Sequence, residues 1–223
     1  MLLLLSLVLA CITINANKTD NINGVYEVAV GRHYANKSSV TWGQNSQTEW
    51  SVTVAMGDSC ALYNSSSTCD DTAWYGDWNK LWGKTRCGYM HDNHKDSDRF
   101  VWRRCSDPTC ALFVDDGVPR IALAAYSYDN GVAPYTQEGG DLGLLQPFTY
   151  TLLANTPYLL GMSMDASGLT TFTISDSAGT LKDAVMVQHL TTCPDDYFEG
   201  TVNGLYFGGD CTAPVDVVVS YSS

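Results

Sequence analysis

The residues best suited to chemistry form a basic segment in an otherwise acidic chain. Residues 80–104 hold seven of the twelve Lys and Arg residues of the protein: Lys80, Lys84, Arg86, Lys95, Arg99, Arg103 and Arg104. With only three aspartates, this segment carries +4, whereas the whole 223-residue chain carries −12. Ammonium and guanidinium groups bind carboxylates and sulfates, and a guanidinium can do so with two parallel hydrogen bonds. The segment is therefore a candidate site for an anionic ligand.

Tryptophans are concentrated in this part of the chain, since five of the six occur between residues 50 and 104. Aromatic faces stack on the apolar C–H surface of sugar rings, so cations and indoles together predict an anionic polysaccharide as ligand. The predicted glycan-binding residues are Trp74, Trp78, Trp82, Arg86, Tyr89, His94 and Arg103. The alternative is structural: Trp50 and Trp102 lie on strand-like patterns that predict core positions, and Arg99 can pair with a neighbouring aspartate.

Two further spacings could carry chemistry. On a strand, residues i and i+2 share a face, so Tyr126 and Tyr128 could stack on a sugar or transfer protons, or simply be two aromatics on a sheet. The spacing His91-x-x-His94 could supply two metal ligands. Two histidines on a loop without a third ligand are weak evidence for metal binding, so no metal site is predicted.

The run Asn79–Lys84, followed by Asp98–Arg103, resembles the jelly-roll polysaccharide lyases of the alginate and glucuronan lyase type. That family has a Lys-Leu-Pro-Gly loop, then a strand with an Arg and a Met-Trp-Arg-like ending, then a Tyr-x-Tyr pair. Here Trp82 replaces the proline of the loop. Tyr126 and Tyr128 would be the catalytic phenols, although they fall one predicted strand later than in the family.

The resemblance implies β-elimination on a uronate. A cation must neutralise the carboxylate, for which Lys80, Lys84 and Arg99 are the candidates, and a base must remove the C5 proton. Tyr126, Tyr128, Tyr89 or His91 would act as base and acid. No cofactor is expected. A glycosidase would need two carboxylates about 5–9.5 Å apart, and neither a Glu-x-Asp-x-Glu nor a Gly-x-Ser-x-Gly motif is present.

Short segments with period-two alternation must position these residues, and they predict a single all-β domain. The predicted strands are Val25–Val30, Glu49–Val54, Arg99–Arg103, Ala111–Val114, Ile121–Tyr128, Phe148–Leu153, Tyr158–Asp165, Leu169–Ser175, Gly204–Gly209 and Val215–Tyr221. Turn residues separate them, and no segment has helical apolar spacing over three turns. The expected fold is a concanavalin-like β-sandwich or jelly roll, stapled by disulfides.

The N-terminus predicts secretion. Residues 2–9 are apolar except for Ser6, and the stretch is too short to span a bilayer, so residues 1–16 are interpreted as a signal peptide and 17–223 as one β-sandwich domain. Ala10-Cys11 also resembles a lipoprotein cleavage site. Three Asn-x-Ser/Thr sequons begin at Asn17, Asn36 and Asn64, and they predict a glycoprotein.

Eight cysteines agree with an oxidising compartment. Loss of Cys11 with the signal leaves seven, for which the spacings suggest these pairs: Cys60 with Cys69, Cys105 with Cys110, and Cys193 with Cys211. Cys87 would then be odd and available for an intermolecular disulfide.

Three functional hypotheses remain: a secreted protein that binds an acidic glycan, a polysaccharide lyase, and a disulfide-bonded extracellular structural or interaction protein. A nucleic-acid partner is disfavoured because the acidic chain repels phosphate. No stretch of transmembrane length is present in the sequence, so no membrane span is expected.

Overall fold

The computed structural model describes residues 22–37, 48–63, 78–85, 97–106, 108, 110–128, 145–188, 202–208 and 211–222. Its strands are β1 (Gly24–Val28), β2 (Glu49–Met56), β3 (Asn79–Thr85), β4 (Ser97–Arg104), β5 (Arg120–Tyr128), β6 (Leu145–Leu153), β7 (Pro157–Met164), β8 (Leu169–Asp176), β9 (Leu181–Gln188), β10 (Val202–Asn203) and β11 (Val217–Ser222). A short helix, α1, covers Asp58–Leu62. None of the described helical residues forms a segment long and apolar enough to cross a bilayer.

The strands form two antiparallel sheets. One has six strands in the order β1-β11-β2-β7-β8-β9, and the other has five in the order β10-β3-β4-β5-β6. Burial alternates along most strands, as in β2 and β7, because one face of each sheet packs on the other sheet. The predicted all-β sandwich is confirmed.

The five-stranded sheet has two distinct faces. Its inner face contributes Trp82, Phe100, Trp102 and Leu123 to a core shared with the six-stranded sheet. The opposite face, called here the outer face, carries a separate apolar cluster made of residues from this sheet and the segments next to it: Trp78, Val101, Cys105, Cys110, Ala122, Ala124, Tyr126 and Tyr128. Phe100 and Val101 are both fully buried although they point in opposite directions, so β4 is covered on both faces.

Several predicted elements need correction. Ala111–Val114 is not a strand, because Cys105 and Cys110 are disulfide-bonded and the chain turns after Cys110, where the Phe113 amide donates to the Cys110 carbonyl. In the predicted strand Gly204–Gly209, Tyr206 forms only isolated bridges, and the short β10 precedes it. The strands β3, β9 and β10 and the helix α1 were not predicted.

The cysteine pairing is confirmed in part. Cys105 and Cys110 form a disulfide, and Cys211 is also disulfide-bonded. The predicted pairing of Cys60 with Cys69 is wrong, because Cys60 is a free thiol buried in α1 with its Sγ 3.5 Å from the Val218 carbonyl oxygen. Burial raises the pKa of the Cys60 thiol to about 12. Cys60 is therefore not available for a bridge to another chain.

We expect Cys60 to resist alkylation in the folded protein. Its raised pKa keeps it protonated at neutral and mildly alkaline pH, and only the thiolate is an effective nucleophile. Iodoacetamide labelling followed by peptide mass mapping should find Cys60 modified only after denaturation. Labelling of the native protein that rises between neutral and mildly alkaline pH would contradict this expectation.

Candidate functional site

Register places Arg99 and both tyrosines on the outer face. Arg99 on β4 lies opposite Tyr126 on β5, and Ser97 lies opposite Tyr128. Tyr126 and Tyr128 belong to the outer-face cluster, and residues paired across an antiparallel ladder share a face. The structure thus brings together Arg99, Tyr126 and Tyr128. The strand predicted between Arg99 and the tyrosines, Ala111–Val114, does not form, so β5 lies directly beside β4 in the sheet.

The two tyrosine side chains are hydrogen-bonded to each other. The Tyr126 hydroxyl donates to the Tyr128 hydroxyl at 2.9 Å, and the ring centroids are 5.1 Å apart at an interplanar angle of 64°. Tyr126 is 3% exposed and Tyr128 is 7% exposed. Their phenols therefore form a short path along which a proton can pass between neighbouring hydroxyls.

Arg99 supplies a cation beside this pair. Its side chain is only 2% exposed, and desolvation lowers the pKa of its guanidinium to about 10, although Tyr128, Tyr126 and Asp98 act in the opposite direction. A pKa of about 10 still leaves the group charged at neutral pH. A cation held in a site with little water interacts strongly with any anion that reaches it.

Gly83 on β3 makes room for the Arg99 side chain. It lies opposite Arg99 in the β3–β4 ladder, and a Cβ at Gly83 would stand 2.5 Å from the Arg99 Cα and 2.7 Å from its Cγ. It would also collide with the Asp98 carbonyl oxygen. A glycine is required here because the two strands approach too closely for any side chain.

We expect Gly83→Ala to destabilise the fold and displace Arg99. The added methyl meets backbone atoms, which cannot rotate away, so the cost should be about 1–3 kcal/mol. Denaturant unfolding measures the loss. Gly31→Ala isolates backbone strain without collision, because its Cβ meets nothing within 4 Å whereas its φ of 75° costs an alanine about 1–2 kcal/mol. Equal stability of the Gly83→Ala variant and the wild type would refute the close approach.

Lys84 and Trp82 lie on the inner face and not beside Arg99. Lys84 is buried opposite Asp98, with its Nζ 4.3 Å from the Trp50 ring centroid. Trp82 is buried in the shared core and stacks on Phe100 with ring centroids 5.8 Å apart. Strand alternation explains both positions, because they lie opposite the inward-facing residues of β4. We therefore assign Lys84 and Trp82 to the core and not to a glycan site.

Asp98 is the centre of a polar cluster on this inner face. Its carboxylate accepts hydrogen bonds from the hydroxyls of Ser127 on β5 and of Thr170 on β8, the latter at 3.0 Å. All three residues are completely buried. The cluster ties the five-stranded sheet to the six-stranded sheet directly behind Arg99 and the tyrosine pair.

Lys80 is on the outer face because β3 contains a register shift between Lys80 and Trp82. Without this bulge, Lys80 would face inward with Trp82, two residues further on; instead it lies opposite the outward-facing Val101. On this face Lys80 is a diagonal neighbour of Arg99, which corresponds to about 7–8 Å between backbone positions. Its Nζ lies 4.8 Å from the Tyr206 ring centroid.

The remaining predicted residues divide into two groups. Trp78 packs in the outer-face cluster, and the guanidinium of the half-buried Arg103 lies 4.6 Å from the centroid of its ring, so these two form a cation–π pair. Five others lie outside the described residues: Trp74, Arg86, Tyr89, His91 and His94. Among the described residues, no group of three or more His, Cys, Asp or Glu side chains could hold a metal ion.

Sequence reasoning missed an aromatic group at the edge of the outer face. Tyr206 forms a β-bridge with Lys80 on one side and with Tyr34 on the other. In the sequence, the strand-like Gly204–Gly209 pattern is what pointed to this group. The His33 ring belongs to the same group and stacks on Tyr206 with centroids 5.4 Å apart.

Comparison with known proteins finds similarity in solved structures only. No protein-family model matches the chain, and no curated protein matches it. The marine PL-14 alginate lyase from Aplysia kurodai is 14% identical, with 89% of this chain and 79% of that chain covered at a TM-score of 0.48. Alginate lyase Aly36B with an alginate tetrasaccharide is also 14% identical, with 89% and 77% covered at 0.49. A protein of unknown function from Shewanella oneidensis is 11% identical, with 91% and 74% covered at 0.41. Likeness at this level carries no information on activity.

Proposed function

We propose that this is a secreted polysaccharide lyase that cleaves a uronate polymer by β-elimination on the outer face of the five-stranded sheet. One observation carries the proposal: the Tyr126 and Tyr128 hydroxyls lie 2.9 Å apart, on the strand that pairs with Arg99. Secretion is supported by the disulfide between Cys105 and Cys110, since such bonds persist in oxidising compartments.

Arg99 would bind the uronate carboxylate. A guanidinium matches a carboxylate with two parallel hydrogen bonds, and its charge stabilises the negative charge that develops on the carboxylate when C5 loses its proton. The charge of Arg99 persists at neutral pH, with a pKa of about 10. Lys80, diagonally across the ladder, adds positive charge to the same face.

The tyrosine pair would move the protons. One phenol, as phenolate, takes the C5 proton; the C5–H electron pair becomes the C4–C5 double bond, and the bond from C4 to the leaving oxygen breaks. The other phenol gives its proton to that oxygen and becomes the phenolate. The hydrogen bond between Tyr126 and Tyr128 then lets the proton cross from the first hydroxyl to the second, which restores the starting state.

A second candidate function is binding of the acidic polysaccharide without cleavage. The observation that favours it is the burial of the tyrosine pair at 3% and 7% exposure, whereas Tyr34 at the edge of the same sheet is 75% exposed. A polymer could then be held at the edge of the outer face without reaching the phenols.

The test is to incubate the purified protein with a panel of polymannuronate, polyguluronate and polyglucuronate, with a neutral glucan as control. Rising ultraviolet absorbance of the unsaturated uronate product would establish the lyase. Flat absorbance with salt-sensitive retention on the same immobilised polymers would establish binding alone. Flat absorbance without retention would refute both candidates and leave the structural or interaction role.

A further inference from the structure

An aromatic and cationic row extends the outer face beyond β3. Tyr34 bridges Tyr206, Tyr206 bridges Lys80, and Lys80 lies opposite Val101. Residues paired across antiparallel strands point to the same side, so Tyr34, Tyr206 and Lys80 share the face that carries Arg99. This row lies next to the row that contains Gly83, Arg99 and Tyr126.

The row is held by its backbone. Lys80 and Tyr206 exchange both amide-to-carbonyl hydrogen bonds at 2.9 Å, and the Phe207 amide donates to the His33 carbonyl at 2.8 Å. The His33 Nδ1 also lies 2.9 Å from the Phe207 carbonyl oxygen. His33 stacks on Tyr206 nearly in parallel, at 11°, which fixes the Tyr206 ring from one side.

Tyr34 is the exposed member of this group. Its ring meets Tyr206 edge-to-face, with centroids 5.1 Å apart at 79°, and yet 75% of the residue remains exposed. An aromatic ring that is positioned by a neighbour but open to solvent offers a rigid apolar surface at low entropic cost. Beside it, the Lys80 ammonium lies 4.8 Å from the Tyr206 centroid and supplies a positive charge.

We propose that Tyr34, Tyr206 and Lys80 form a separate subsite for one uronate residue of the bound polymer. The pyranose C–H face would stack on Tyr34, and its carboxylate would face Lys80. The polymer would then cross the strands obliquely, from Tyr126 and Arg99 towards Tyr34. This inference rests on the proposed function, because it assumes that the outer face binds an acidic polysaccharide.

Isothermal titration with oligouronates of increasing length tests the subsite, with Tyr126→Phe and Tyr128→Phe present in every protein compared so that no ligand is cleaved. A separate subsite is filled only by ligands long enough to reach it from Arg99. Tyr34→Ala should therefore weaken binding of hexasaccharides about threefold to tenfold, within the range of a single aromatic contact, and leave disaccharide binding unchanged. Lys80→Gln should reduce the salt dependence of hexasaccharide binding. Met186→Ala, which removes an exposed side chain from β9 on the other sheet, is the matched control.

The outcomes separate this inference from the proposed function. If the protein with Tyr34 binds oligouronates and the Tyr34→Ala variant binds each length with the same affinity, the subsite is refuted and the proposed function stands. Equal weakening at every length would also refute it, because Tyr34 would then act at the Arg99 position. If the wild type neither cleaves an acidic oligosaccharide nor binds one, and the double phenylalanine variant binds none, both proposals fall.

Discussion

Phenylalanine at both Tyr126 and Tyr128 is expected to lower turnover of a uronate polymer by about 10²–10⁴-fold, the usual contribution of general acid–base catalysis. The substitution removes the two hydroxyls that lie 2.9 Å apart and keeps both rings, so proton transfer is lost while packing is retained. Retention on the immobilised polymer should survive, because the charge of Arg99 is untouched. Initial rates from product absorbance and salt-gradient retention measure the two effects separately.

Tyr150→Phe provides a matched control for this double variant. Tyr150 on β6 also pairs with a second tyrosine, Tyr158, with ring centroids 6.0 Å apart, but it packs against the inter-sheet core. Its variant should turn over at the wild-type rate. A double phenylalanine variant with wild-type turnover would show that other groups carry the protons, and the lyase mechanism proposed for the tyrosine pair would be wrong.

Asp98→Ala is expected to cost about 3–5 kcal/mol of folding free energy. Asp98 is completely buried opposite the buried Lys84, and it accepts hydrogen bonds from Ser127 and Thr170. Its removal leaves the Lys84 ammonium in the core without the charge of the residue opposite it in the ladder, and two hydroxyls lose their acceptor. Denaturant unfolding measures the loss. Asp115→Ala, which removes an exposed acid, should stay within about 0.5 kcal/mol of the wild type.

A double-mutant cycle makes this expectation sharper. Lys84→Met alone should also be strongly destabilising, because it leaves the Asp98 carboxylate in the core without the charge opposite it. The variant with both Asp98→Ala and Lys84→Met should lose less stability than the two single losses added together. Strict additivity would show that the two side chains do not interact, and the inner-face cluster would then need another explanation.

Strands with regular alternation could be predicted from the sequence. The predicted Ile121–Tyr128 and Leu169–Ser175 agree with β5 and β8 to within one residue at each end. β3 could not be found in this way, because its bulge sends both Leu81 and Trp82 into the same core and because Lys84, a charged residue, lies at an inward-facing position. Period two is broken in such a strand, although the backbone pairs along its length.

The candidate site was predictable by residue type but not by arrangement. Arg99, Tyr126 and Tyr128 could be identified from their chemistry and spacing. Their adjacency could not, because an apolar segment at residues 111–114 imitates a strand, whereas the Cys105–Cys110 disulfide folds it back over the outer face. The contact between Tyr34 and Tyr206 joins distant parts of the chain, and neither local pattern specifies it.

The bulge in β3 also makes the length of the chain at this point as consequential as its chemistry. Deletion of Leu81 would restore plain alternation and leave Lys80 on the outer face, because Lys80 would then be the direct neighbour of the inward-facing Trp82. If Leu81 stayed and the bulge were lost, Lys80 would instead lie two residues from Trp82 and turn inward. The charge pattern of the outer face therefore depends on whether an odd or an even number of residues separates Lys80 from Trp82, and with the single residue present here it depends on the bulge.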